Sequence, residues 1–211
     1  MEKINYKESL VWKILLNLCA LFLGLVFVFS GFVKAVDPLG TCYKIQDYIE
    51  VFGLVNLVPD FLPLMLSIAL CCLEFLIGIM LLLRVRRRMA TILVLLMMAV
   101  MTPLTFYLAL TNPISDCGCF GDALVLSNWQ TFYKNVVLLI GAIVVFIGYN
   151  QLTPILSSKK EWMVTSWSLV FILGIAFYGL YYIPLFDFRH SLHKNKSQVL
   201  QYFLDIFFSS C

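Results

Sequence analysis

Two thiols separated by a single glycine, in Asp116-Cys117-Gly118-Cys119-Phe120-Gly121-Asp122, have the spacing in this 211-residue chain that most invites chemistry. Such a pair can bind a metal, close a disulfide or exchange one. A structural zinc site takes about four ligands, and neither His190 nor His193 has finger spacing with Cys117 and Cys119, so no metal is expected. A disulfide needs Cα atoms about 4.4–6.8 Å apart, which an extended C-x-C barely meets or exceeds. Gly118 permits the bend that brings them together. The small ring that results is strained, and strained, exposed disulfides are the labile or catalytic ones. In the alternative, one of the pair bonds Cys42 and the other attacks that bond, which makes Cys42 a relay. Asp116 and Asp122 oppose a thiolate and raise its pKa, and Lys134 offsets them only by snorkelling outward. A compact turn with a plain disulfide staple uses the same residues, and both readings stand on the sequence.

A second candidate is Glu74, in the apolar run Cys71-Cys72-Leu73-Glu74-Phe75-Leu76-Ile77-Gly78. A charged side chain at mid-span costs about 2.5–3.5 kcal/mol on insertion scales, so Glu74 should face the bundle, as a proton site, a quinone contact or a hydrogen-bonded packing contact. No cofactor is fixed by the sequence, and a quinone is admissible. Cys19, Cys71 and Cys72 fall within apolar runs and read as small packing residues. Lys34, Asp37 and Asp47 surround the exit of the first run, and Asp37 before Pro38 signals a turn or helix start that opens a capped re-entrant or interfacial segment. Gly24, Gly31, Gly78, Gly141 and Gly174 are expected at close helix contacts, and Pro103 is expected to kink its helix.

The elements that must hold these residues follow from hydropathy. The chain is 62% hydrophobic and 13% charged, with a mean hydropathy of +0.93, beyond what a water-soluble core of this size can bury. A span needs about 20 apolar residues, and residues 14–33, 61–83, 89–110, 129–149 and 162–183 meet that length. Continuous apolar runs rather than period-two alternation select helices over a barrel. The expected fold is therefore all-α, a polytopic membrane helical bundle. Ser127 and Gln130 have capping-box spacing and mark the start of the fourth span. The first run is long enough to remain as an uncleaved helix, and Leu18 before Cys19 argues against lipidation there.

Lysine and arginine near span ends mark the cytoplasmic side. Lys3, Lys7 and Lys13 precede the first span, Arg84, Arg86, Arg87 and Arg88 join the second to the third, and Lys159 and Lys160 join the fourth to the fifth. The N-terminus is thus expected inside. Residues 34–60, 111–128 and the tail fall on the extracytoplasmic side, where disulfides persist. A net charge of +3 carries no nucleic-acid signal, and the expected surroundings are membrane lipid.

Three stretches, GLVFVFSGFVKAVDPLGT at 24–41, LEFLIGIMLLL at 73–83 and DCGCFGD at 116–122, resemble the DoxX-like superfamily of small four-helix membrane proteins and, within it, the MauE-like branch associated with methylamine utilisation. The resemblance covers most of residues 14–149. It implies a four-helix DoxX/MauE-like core over residues 1–150, to which residues 151–183 add a cytoplasmic linker and a fifth transmembrane helix and residues 184–211 a short extracytoplasmic tail. It also implies a bacterial inner-membrane protein that helps mature or supply an extracytoplasmic redox system beside a thioredoxin-like partner. The outer-face cysteines are similar, more distantly, to those of vitamin K epoxide reductase proteins, which reoxidise disulfides with a quinone; that family uses C-x-x-C where this chain has C-x-C. Related long sequences continue after a segment similar to YYIPLFDFR, residues 181–189, into a larger domain, so the tail here is expected to be a shortened remnant whose role a separate thiol protein supplies.

On this reading the protein takes part in extracytoplasmic thiol–disulfide transfer or the maturation of a redox protein, as a candidate thiol–disulfide oxidoreductase. Cys117 and Cys119 are the exchanging pair, Cys42 the relay and Glu74 the intramembrane proton site. The alternative is a non-catalytic assembly or scaffold subunit of a membrane redox complex, with a structural disulfide loop.

Overall fold

The structure, a computed structural model, describes residues 10–112, 126–153, 155 and 158–181. Helix α1, Leu10–Val36, is apolar along its length and carries Lys34 in its last turn. It stops where Pro38 follows, because a residue before proline is driven from the helical region; Asp37 sits at φ −126° and ψ 77°. The Asp37 carboxylate then accepts from the Gly40 amide at 3.0 Å and caps helix α2, Pro38–Val51, with proline in the first turn, where its missing N–H is harmless. The segment expected to be re-entrant or interfacial is thus a capped helix of 14 residues, and Pro38 to Cys42 are buried in it. The Ser67 hydroxyl donates to the Pro38 carbonyl at 2.7 Å, so α2 begins beside the second turn of α3, Leu62–Leu82.

Helix α4 spans Arg87–Thr111 and runs through Pro103 without interruption. The turn before it places Arg84 and Arg86 at positive φ, 55° and 46°, a conformation rare outside glycine. It is held from outside the turn: the Arg86 guanidinium lies 4.1 Å from the centre of the Trp162 ring, and Arg87 donates to the Leu152 carbonyl. At its far end α4 stops at Asn112, left-handed at φ 45°, whose amide bonds the Leu108 carbonyl; asparagine tolerates that conformation. Helix α5, Asn128–Gly148, opens on the expected capping box, with the Ser127 hydroxyl accepting from the Gln130 amide and the Gln130 side chain accepting from the Ser127 amide. A 3-10 turn, Tyr149–Gln151, leads on towards α6, Ser158–Tyr181.

Five of these helices, α1 and α3 to α6, are long and apolar enough to cross a membrane, and among the described residues no strand occurs. The chain is an all-α polytopic bundle. α1 packs chiefly on α3 and α4 on α5, while α6 lies against α3 and α1. The main core gathers Leu16, Leu23, Phe27, Ile77, Val94 and Leu138. Large apolar side chains such as Leu18, Phe22, Leu96, Val137 and Phe171 point outward, as lipid contact requires.

Small residues set the closest helix approach. A Cβ on Gly31 would stand 2.5 Å from the Phe75 amide nitrogen, and one on Gly78 2.5 Å from that of Val28. α1 and α3 therefore touch backbone to backbone, the contact that glycines permit between spans. Gly174, expected at such a contact, has nothing within 4 Å of its Cβ position. The α6 glycine that does approach a neighbour is Gly179, whose Cβ position lies 2.5 Å from the Val36 carbonyl oxygen.

Candidate functional site

The approach of α1 to α3 brings together charges that lie 40 residues apart in sequence. Lys34 Nζ donates to both carboxylate oxygens of Glu74, at 2.7 and 2.6 Å, and to the Ser30 hydroxyl at 2.9 Å. The Ser30 hydroxyl in turn donates to Glu74 Oε2 at 2.7 Å. Lys34 is 3% exposed and Glu74 5%, so the pair is withdrawn from solvent and lipid alike. Charges so buried persist only when each is paired and hydrogen-bonded; here one ammonium, one carboxylate and one hydroxyl satisfy one another in a closed triangle. Glu74 faces the bundle, as its cost in lipid demands. Its partner escaped the sequence reading, although Ser30 and Lys34, four residues apart on one helical face, and a lone acid in a neighbouring span, are the signature of such a pair.

The triangle borders a cavity of about 160 Å³ between α1, α2, α3, α4 and α5. Phe27, Leu70, Met98, Met101, Leu104 and Leu138 wall its apolar side. Thr41, Lys44 and Tyr48 from α2, with Lys134 and Asn135 from α5, bring further polar groups. Lys134, which could offset Asp116 and Asp122 only by snorkelling outward, has its side chain among those lining the cavity. Asn135 is buried and donates to the Thr105 hydroxyl at 3.2 Å, which ties α5 to α4 beside the cavity.

Cys117 and Cys119 lie outside the described residues. The two ends of the chain that lead to them do not: the Asn128 side-chain amide donates to that of Asn112 at 3.1 Å. Asn112 closes α4 and Asn128 opens α5, so both stems are pinned at the end of the bundle where α2 lies and the cavity is lined. At the opposite end stand Lys13, Arg84, Arg86, Arg87, Arg88 and Lys160.

Cys42 is in this region but turned away from the cavity. It is 1% exposed and packs with Leu39 and Leu64, under Tyr43, Ile68 and Leu180. Its thiol is unbonded to another cysteine, and burial pushes it up from an ordinary value near 9 to about 11. At pH 8 a thiol of pKa 9 is about 10% thiolate and one of pKa 11 about 0.1%, so the nucleophilic form is scarcer by roughly a hundredfold. In a variant retaining Cys42 alone, maleimide labelling of the folded protein is therefore expected to be at least about a hundredfold slower than after denaturation, and to rise with pH towards 11. Equal rates folded and denatured would show the thiol to be open. Cys71 and Cys72 are buried between α3 and α6 among apolar side chains, as packing residues would be.

A family model described as methylamine utilisation protein MauE matches residues 12–148, which takes in α2 to α5 whole and all but the first two residues of α1 and stops before α6. Comparisons with curated proteins and with solved structures give no match.

Proposed function

We propose a function from one premise: the chain belongs to the MauE family, so it is a multi-pass membrane protein linked to methylamine utilisation. The finer reading is thiol–disulfide transfer on the extracytoplasmic face of a bacterial inner membrane, in the maturation of a redox protein. Cys117 and Cys119 exchange, a thioredoxin-like protein is the partner, and Glu74 is the intramembrane proton site.

The observation that carries this reading is the juxtaposition of the buried Ser30–Lys34–Glu74 triangle with the pinned stems of the C-x-C segment at one end of the bundle. The orientation is supported by the six basic residues at the other end, which by the positive-inside rule belongs in the cytoplasm. The stems then face the compartment in which disulfides form. In the exchange one thiolate of the pair attacks the partner's disulfide and a mixed disulfide forms. The second thiol displaces it, so the pair leaves oxidised and the partner leaves as a dithiol, or the reverse. The relay through Cys42 requires α2 to lift from α3, because its thiol is covered there.

That cover favours a second reading, in which the C-x-C segment is a staple and the protein a scaffold of a membrane redox complex. The two part on one variant. Cys117→Ser is expected to insert normally and to lose transfer to the partner by at least a hundredfold, measured as the rate of partner reduction or oxidation in membranes. Transfer at the wild-type rate would leave the scaffold reading in possession.

A further inference from the structure

Thr41 is a polar side chain at the cavity wall that the fold leaves unsatisfied. Threonines within helices can return their hydroxyl to the carbonyl four residues back, and Thr91, Thr105, Thr111, Thr131 and Thr165 all do so, at 2.8–3.1 Å. Thr41 does not. It is 3% exposed, and its hydroxyl has no hydrogen-bond partner among the described residues. The carbonyl three residues back, that of Pro38, accepts from Ser67 instead. A buried hydroxyl without a partner is costly, and here it belongs to a residue that lines the cavity. A ligand with an acceptor at this place would relieve it.

The charge beside Thr41 is positive. Thr41, Lys44 and Tyr48 stand at positions i, i+3 and i+7 of α2, one face of the helix, and all three line the cavity. Lys134 lines it from α5. Each lysine also has a partner of its own, so the two supply a field, while the hydrogen bond falls to Thr41. The described lining holds one carboxylate, Glu74, which Lys34 already engages. Beyond that closed pair the lining is cationic. Phe27, Leu70, Met98 and Leu138 form the apolar wall.

A ligand that matches both parts is an anion on an apolar body. An ammonium ion would meet like charge. A bare inorganic oxyanion would give up its hydration against the apolar wall. Water would satisfy Thr41 and little else: about 160 Å³ is the room of about five water molecules at roughly 30 Å³ each, and the apolar wall offers the others no partner. Size limits the body. An apolar cavity of about 150 Å³ admits benzene, so one six-membered ring or its equivalent fits here and a fatty acyl chain does not. Lys44, Tyr48 and Lys134 are half-buried, so they reach from the cavity to the surface and mark the way in.

We propose that this cavity binds a small monocarboxylate on an apolar body the size of one ring, its carboxylate accepting from the Thr41 hydroxyl in the field of Lys44 and Lys134. The Ser30–Lys34–Glu74 triangle stays closed and takes no part in the contact. The site stands apart from thiol–disulfide transfer, and the variant Cys117→Ser/Cys119→Ser should bind as the wild type does.

The test titrates the full chain, in nanodiscs of zwitterionic phospholipid at neutral pH, with benzoate. Binding is read by isothermal titration calorimetry and by the shift in melting temperature. Saturable binding of one benzoate per chain is expected, with a rise in melting temperature. Benzamide, of the same shape without the charge, should bind at least tenfold more weakly, and benzylamine not at all. Thr41→Val keeps the shape of the side chain and removes the hydroxyl. It should weaken benzoate at least tenfold yet melt no lower than the wild type without ligand, since the lost hydroxyl had no partner, and Thr41→Ser should retain binding. Lys134→Met should weaken it severalfold. If Thr41→Val melts lower than the wild type, Met101→Trp, which fills the cavity, decides in its place and should abolish binding. Absence of saturable benzoate binding, equal affinity for benzamide, or affinity unchanged in the deciding variant overturns the proposal.

Discussion

Replacing Lys34 with methionine is expected to destabilise the folded bundle by about 3–5 kcal/mol, the cost of removing one partner from a buried ion pair. The reason is local. Glu74 receives three of its close hydrogen bonds from Lys34 and Ser30, two of them from the ammonium, and at 5% exposure it is largely withdrawn from bulk solvent. Methionine keeps the length of the side chain and removes only the charge and its donors. The double variant Lys34→Met/Glu74→Met should recover most of the loss, since a buried pair exchanged for apolar groups of similar volume is often neutral. Unfolding in bicelles, with both single variants and the double, checks this as a cycle. Single-variant losses that simply add in the double would mean that the two residues are not coupled.

The second large effect is at the α1–α3 crossing. Gly31→Ala would place its new carbon 2.5 Å from the Phe75 nitrogen, 2.8 Å from the Cys71 carbonyl oxygen and 2.9 Å from the Phe75 Cα. All three are backbone atoms, so no rotamer relieves the clash and the helices must separate. Overpacking of a well-packed contact costs about 1–3 kcal/mol, and Gly31→Val should exceed that and abolish folding. Separation at this level also draws Lys34 from Glu74, because the glycine lies one turn below the lysine on α1. Gly174→Ala is the matched control: its Cβ position is open, and melting should be unchanged or slightly raised by the better helix former. Comparable losses at Gly31 and Gly174 would contradict the packing described.

Much of this architecture is legible in the chain because lipid imposes simple rules. The five spans lie within a few residues of the helices observed, the capping box at Ser127 is made as its spacing predicts, and Asp37-Pro38 does begin a helix. What escaped is rotational phase. α6 is apolar around its whole circumference, so nothing in its pattern distinguishes Gly174, which faces open space, from Gly179, which meets the Val36 carbonyl. The side of α5 on which Lys134 falls follows from how α5 packs, and it lines the cavity. The pairing of Lys34 with Glu74 was available in principle, as two opposite charges in adjacent spans, and was hidden by reading Lys34 as part of a loop. The cavity itself is a product of five helices meeting and has no signature along the sequence.

The most direct test of the proposed exchange is thiol trapping in intact cells with a membrane-impermeant maleimide, before and after mild reduction, read separately at Cys42, Cys117 and Cys119. The account predicts that Cys117 and Cys119 label from outside in a manner that follows the redox state, while Cys42 stays protected beneath Leu39 and Leu64. Cysteines 117 and 119 that remain oxidised through mild reduction, or that label only after the membrane is opened, would contradict it.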